Sequence, residues 1–150
     1  MDALDPQIAY YALNVLVALL LGMLLGIERT LAHKTAGLRT YGLVSMGSAL
    51  FIVIASLVGD TQLSISGTDI MRVTAGVITG IGFLCAGVIV IREQTLVGLT
   101  TAAGLWIASG IGIASGFGLY TIALFTTFLT LLTFTIFWYV EKSVARIGDN

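Results

Sequence analysis

The chain has 150 residues, of which 57% are hydrophobic and 10% charged, with a formal net charge of −1 and a mean hydropathy of +1.03. Soluble domains carry about 25% charged residues, so the composition excludes that class and points to an integral membrane protein. The small net charge leaves no footprint for nucleic acid, and the single cysteine, Cys85, cannot form an internal disulfide and reads as a buried thiol.

The N-terminal MDALDPQ is acidic where a signal peptide is basic. The apolar run behind it is also too long for a signal h-region, so it is expected to be a retained helix. Five spans follow in chain order: 8–27, opened by Pro6, then 40–58, 73–91, 99–117 and 119–140. Each approaches the ~20 residues needed to cross ~30 Å of hydrocarbon. Lipid offers no partners to backbone groups, so the runs are helices despite their Val, Ile and Thr content. The expected fold class is all-α: a polytopic membrane protein of five transmembrane helices in one domain over residues 1–150. Only Gly116-Phe117-Gly118 separates the last two spans, which demands a tight turn.

Charge sets the expected orientation. Arg29, Lys34 and Arg39 lie between spans one and two, Arg92 and Glu93 between spans three and four, and Lys142 and Arg146 follow span five. Asp2 and Asp5 precede span one, and Asp60, Asp69 and Arg72 lie between spans two and three. The positive-inside rule then puts the N-terminus outside and the C-terminus in the cytoplasm. Arg39 at the mouth of span two has two readings. It snorkels to water, or it joins Glu28 and Arg29 in a charge lock between the first two helices. The second reading predicts that Arg39 bonds Glu28, or carbonyls between spans one and three.

Small residues recur at spacing four: Ala18, Gly22 and Gly26 in span one, Gly76 and Gly80 in span three, and Gly104, Ala108, Gly112 and Gly116 in span four. Such faces let helices approach closely. A second row in span four, Gly110, Ala114 and Gly118, implies two neighbours and a central place. The faces also predict a homo-oligomer, most simply a dimer. The alternative is a glycine-lined pore. Span five has six threonines and no glycine, which suits a lipid-facing helix. Gly37-Leu38-Arg39-Thr40 and Gly98-Leu99-Thr100-Thr101 each open a span on the same side after a charged connector. The pattern leaves open a parallel internal repeat or coincidence.

The stretch GIERTLAHKTAGLRTYGLVSMGSALF resembles the N-terminal signature of the MgtC/SapB membrane proteins, with its Glu28-Arg29 pair followed by GLRT. DIMRVTAGVITGIGFLCAGVIV and GLTTAAGLWIASGIGIASGFGLY resemble their second signature, carrying Asp69, Arg72, Thr100 and Thr101. The chain departs from the pattern at Gly76, where members usually carry glutamine, and at Ile70, where proline often follows the aspartate. The resemblance implies a bacterial inner-membrane protein linked to adaptation to low magnesium or acid. It also implies contact with other membrane proteins, the ATP synthase among them. Many members continue into a soluble domain, so this chain is expected to be the membrane domain alone or a short member.

The residues themselves argue against catalysis. His33, the only histidine, lies in a polar loop, and no phosphate loop or metal-ligand cluster is visible. No cofactor or metal is expected, and none of the span cores holds Asp or Glu of the kind that couples transport to ions. Asp60 and Asp69 read as a solvated loop acid and a helix N-cap. A regulator working by helix contact is therefore expected, the alternative being a small channel or carrier for magnesium or another cation.

Overall fold

The computed structural model describes residues 5–61, 67–92 and 94–148, with 59–61, 67–68 and 138–148 described by their backbone alone. The expectations placed on Asp2, Asp60, Glu93, Lys142 and Arg146 fall outside the described side chains. Five helices dominate: α1 Pro6–Leu31, α2 Leu38–Thr61, α3 Gly67–Val88, α4 Leu99–Gly116 and α5 Tyr120–Gly148. All five are long and apolar enough to cross a membrane. Asp5 caps α1, its side chain accepting from the Gln7 amide at 3.1 Å, and Pro6 fills the first turn, where no amide is needed.

Helix α4 is the hub, packing against each of the other four. Over their spans, 56% of α4 is buried against 11% of α3 and 17% of α5. The expected central place of the fourth span is thus observed. The most extensive interface joins α1 to α2, whereas α3 packs mainly on α4 and, less extensively, on α2.

The small-residue faces explain this arrangement. A Cβ added to Gly22 would lie 2.6 Å from the Tyr41 carbonyl oxygen, and one on Gly26 2.5 Å from the Leu38 Cα. A Cβ on Gly112 would strike the Ser45 carbonyl, and one on Gly116 would lie 2.9 Å from the Ala49 carbonyl oxygen. Rows on α1 and α4 therefore clasp the Leu38–Tyr41–Ser45–Ala49 face of α2 from two sides. Gly76 and Gly80 differ, because nothing in the chain lies within 4 Å of a Cβ at either. The expectation that they pack a neighbouring helix is not met within this chain: among the described residues they face an open groove. Gly110 in the second row of α4 is likewise open.

Two connections carry the geometry. Between α4 and α5 the Gly118 amide donates to the Ser115 carbonyl at 2.9 Å and the Leu119 amide to the Ala114 carbonyl at 2.8 Å. This is a Schellman turn, and Gly118 at φ +73° supplies the left-handed residue it requires. The expected tight turn is present. Between α3 and α4 the expectation is corrected. Span three stops at Val88 rather than residue 91, and a two-stranded hairpin follows, β1 Val90–Arg92 and β2 Thr95–Val97. It pairs Val90 with Val97, Ile91 with Leu96 and Arg92 with Thr95. Gln94 at φ +65° makes the turn and Gly98 at φ +93° returns the chain into α4. The β-branched run Val88-Ile89-Val90-Ile91 favours strand once the chain leaves lipid.

Candidate functional site

Antiparallel chain order brings the α1–α2 loop and the β1–β2 hairpin to one end of the bundle. That end carries Arg29, Lys34, Arg39 and Arg92 and is called the basic end below. Arg29 continues the inward face of α1 that begins with Gly22, Leu25 and Gly26, and is only 3% exposed. Its Nε donates to the Glu28 carboxylate, and its guanidinium carbon stands 3.6 Å from the centre of the Phe134 ring on α5. A carboxylate and an aromatic face together stabilise a cation that lipid alone would not solvate.

Tyr41 on α2 completes the cluster. It is fully buried, and its hydroxyl donates to the Thr101 carbonyl on α4 at 3.2 Å. Gly104 makes room for both rings: a Cβ there would strike the Tyr41 hydroxyl and lie 2.7 Å from Phe134 Cζ. One cluster of Glu28, Arg29, Tyr41, Gly104 and Phe134 thus ties α1, α2, α4 and α5 together.

The expected Arg39 contact is not formed. Arg39 is exposed, and Glu28 pairs with its neighbour Arg29 instead. The cause is helical phase. Residues two apart on a helix point about 200° apart, so burying Tyr41 turns Arg39 outward. The start of α2 is fixed independently, because the Leu38 amide donates to the Thr30 hydroxyl at 3.1 Å. The second motif is not assembled either. Asp69 and Arg72 form an exposed pair at 4.0 Å near the start of α3, whereas Thr100 and Thr101 begin α4 at the basic end. Asp69 lies inside the first turn of α3 and so complements the helix dipole, where an N-cap had been expected. Thr100 is exposed and Thr101 buried.

Deeper polar groups join the helices in pairs. The Ser48 and Ser109 hydroxyls bond at 2.8 Å between α2 and α4. Fully buried Asn14 on α1 donates to the Gly116 carbonyl at 3.0 Å and accepts from the Tyr120 hydroxyl. Asn14 is the only amide within the five expected spans, a signal that the sequence carries without pointing to a partner. The Cys85 thiol, half-buried, donates to the Ala102 carbonyl at 3.2 Å and pins α3 to α4. Ser45 Oγ is buried at the α1–α2–α4 crossing without a hydrogen-bond partner. Among the described residues no three His, Cys, Asp or Glu side chains converge.

Five apolar helices joined by internally paired polar groups define a multi-pass membrane protein. The model of the MgtC family matches residues 15–143. The chain belongs to that family. It is 39% identical over 131 residues to an Escherichia coli (strain K12) protein named "Putative magnesium transporter YhiD", covering 86% of this chain and 61% of that one. It is 43% identical over 93 residues to the Salmonella typhimurium (strain LT2) Protein MgtC, covering 62% of this chain and 37% of that one. The Brucella abortus Protein MgtC is 44% identical over 97 residues, covering 64% and 38% respectively. The chain therefore spans about three fifths of the first relative and under two fifths of the other two. No solved structure matches.

Proposed function

We propose that this chain is a regulatory protein of the bacterial inner membrane, active in adaptation to low magnesium or acid, which works by contact with other membrane proteins. The basic end faces the cytoplasm in this reading, as the positive-inside rule requires. The observation that carries it is how the interior is used. The hydrogen bonds of Asn14, Tyr41, Ser48 and Ser109 are made within the bundle, and Gly22 and Gly112 close the α1–α2–α4 contacts to backbone distance. Cavities lie instead along the flanks of α3, with largely apolar walls. Such an interior suits a scaffold whose outer faces meet partners. Gly76 and Gly80 on α3, four apart and exposed, are among the small residues available to a homodimer, as are Gly82 and Ala86. No catalysis and no cofactor form part of the proposal.

Transport of a cation, magnesium first, is the second reading, favoured by the name of the Escherichia coli relative. One pair of measurements separates the two. Purified chain in liposomes is expected to pass Mg²⁺ and protons no faster than empty liposomes. Added to inverted inner-membrane vesicles, it is expected to lower proton pumping driven by ATP. Sustained Mg²⁺ flux with unchanged pumping would replace the regulatory reading with the transport one.

A further inference from the structure

Both strands of the β1–β2 hairpin are exposed, and among the described residues they pair only with each other. The register sets Val90 and Val97 on one face with Arg92 and Thr95, and Ile91 and Leu96 together on the other. Val97 is 39% exposed, against 76% for Ile91 and 59% for Leu96, so the Ile91–Leu96 face points away from the bundle. The base of the hairpin is fixed against the end of α3. A Cβ on Gly98 would strike the Val88 carbonyl, and Gly98 at φ +93° leads straight into α4.

Two bounds set the height of this face in the membrane. The apolar spans Asp69–Val88 and Leu99–Gly116 have 20 and 18 residues, about 30 and about 27 Å of helix. Both therefore end where about 30 Å of hydrocarbon ends. The hairpin does not lie inside the hydrocarbon, because the outer edges of its strands carry unpaired amides and carbonyls. It does not clear the membrane surface either. Three-residue strands reach about 10 Å, and the headgroup layer is about 5–8 Å deep on each side, so the hairpin base stays among the headgroups at any tilt. The apolar medium within reach of Ile91 and Leu96 is the top of the acyl chains. The same end carries Lys34, Arg39 and Arg92, exposed and, among the described residues, in no ion pair, a charge that complements lipid phosphates. We propose that the hairpin is a membrane-surface anchor. Ile91 and Leu96 sit at the boundary between headgroups and acyl chains, Arg92 lies among the phosphates, and the end of α3 is held there. Helix α3 has little other hold, since only 11% of its span is buried in the bundle.

Depth-dependent fluorescence quenching tests this, with a nitrobenzoxadiazole probe on Leu96→Cys in the whole chain carrying Cys85→Ser, reconstituted in phospholipid vesicles. The probe should lose most of its emission to nitroxide lipids labelled near the top of the acyl chain, less to lipids labelled deep, and little to iodide in the water. A probe on Gln94→Cys, in the turn, should be quenched mainly by iodide. Equal iodide quenching at the two positions would overturn the anchor. So would a Leu96→Cys probe that is open to iodide in vesicles and shielded in native membranes, because a protein partner would then cover the face. The hold on α3 has its own readout. Ile91→Asn with Leu96→Asn should keep its helical circular dichroism, while the amides of α3 exchange hydrogen several-fold faster than in wild type and those of α1 and α2 do not. Unchanged exchange in α3 would overturn the hold.

Discussion

Asn14 and Tyr120 meet side chain to side chain across the α1–α5 contact, the Tyr120 hydroxyl donating to the Asn14 carbonyl oxygen while the Asn14 amide donates to the end of α4. One buried amide thus joins three helices at the end opposite the basic cluster. Asn14→Leu should lower stability by about 1–2 kcal/mol, since interhelical bonds in lipid are worth about 0.6 kcal/mol each and the freed Gly116 carbonyl loses a partner. Tyr120→Phe should cost about half as much. Denaturant titration in mixed micelles, followed by circular dichroism, measures both. Equal stability of Asn14→Leu and wild type would remove the amide from the framework.

The basic cluster separates two arginines that look alike in the sequence. Arg29→Ala should destabilise by about 3 kcal/mol, because Glu28 is left without its cation and Phe134 without its cover. Arg39→Ala should stay within about 0.5 kcal/mol of wild type, as exposed substitutions do. A cycle of Arg29→Lys and Phe134→Leu should show coupling of about 0.5–2 kcal/mol. If Arg39→Ala proves the more damaging in the same titration, the assignment of roles is reversed. A growth defect of Arg39→Lys in low magnesium, with normal stability, would mark Arg39 as a partner contact.

Much of the architecture was legible in the residues. Run lengths gave the five spans, and spacing-four small residues gave the close faces of α1 and α4. The inward turn of Arg29 was also readable: Gly22, Gly26 and Arg29 follow i, i+4, i+7 on one helix face, the buried one. Arg39 drew attention because its motif is more distinctive, yet motif strength says nothing about helical phase. The hairpin was hidden because its strands are three residues long and as apolar as the helix before them. The openness of α3 was hidden because Gly76 and Gly80 carry the same pattern as the packed rows, and pattern does not say whether a partner lies opposite.

Glycines of the same spacing should therefore respond in opposite ways. Gly112→Ala places a methyl on the Ser45 carbonyl and should cost about 3 kcal/mol or prevent folding. Gly80→Ala meets nothing and should be neutral or stabilising by up to about 1 kcal/mol, through lower flexibility of the unfolded helix. Thermal aggregation of fluorescent fusions in detergent ranks the two. A milder effect at Gly112 than at Gly80 would contradict the packing described.

Ser45 offers a gain. Its hydroxyl is buried without a partner, at a standing cost of about 1–3 kcal/mol. Ser45→Ala removes the hydroxyl and leaves a shape the crossing tolerates, so stability should rise by up to about 1 kcal/mol. A loss of stability would show that the hydroxyl is satisfied in the membrane.

The central place of α4 has a consequence for biosynthesis. Spans emerge from the ribosome in order, and α1 and α2 can clasp as soon as both are made. The seat for Gly112 and Gly116 on α2, and the partners of Tyr41, Ser48 and Asn14, then stay vacant while α3 passes, because α3 fills none of them. A nascent chain halted after α3 carries Asn14 and Tyr41 into lipid without those partners, while Ser48 keeps only its bond to the Val44 carbonyl, and should be a substrate for membrane proteases. One halted after α4 has every one of those bonds except that from Tyr120, and should persist several-fold longer in a pulse-chase.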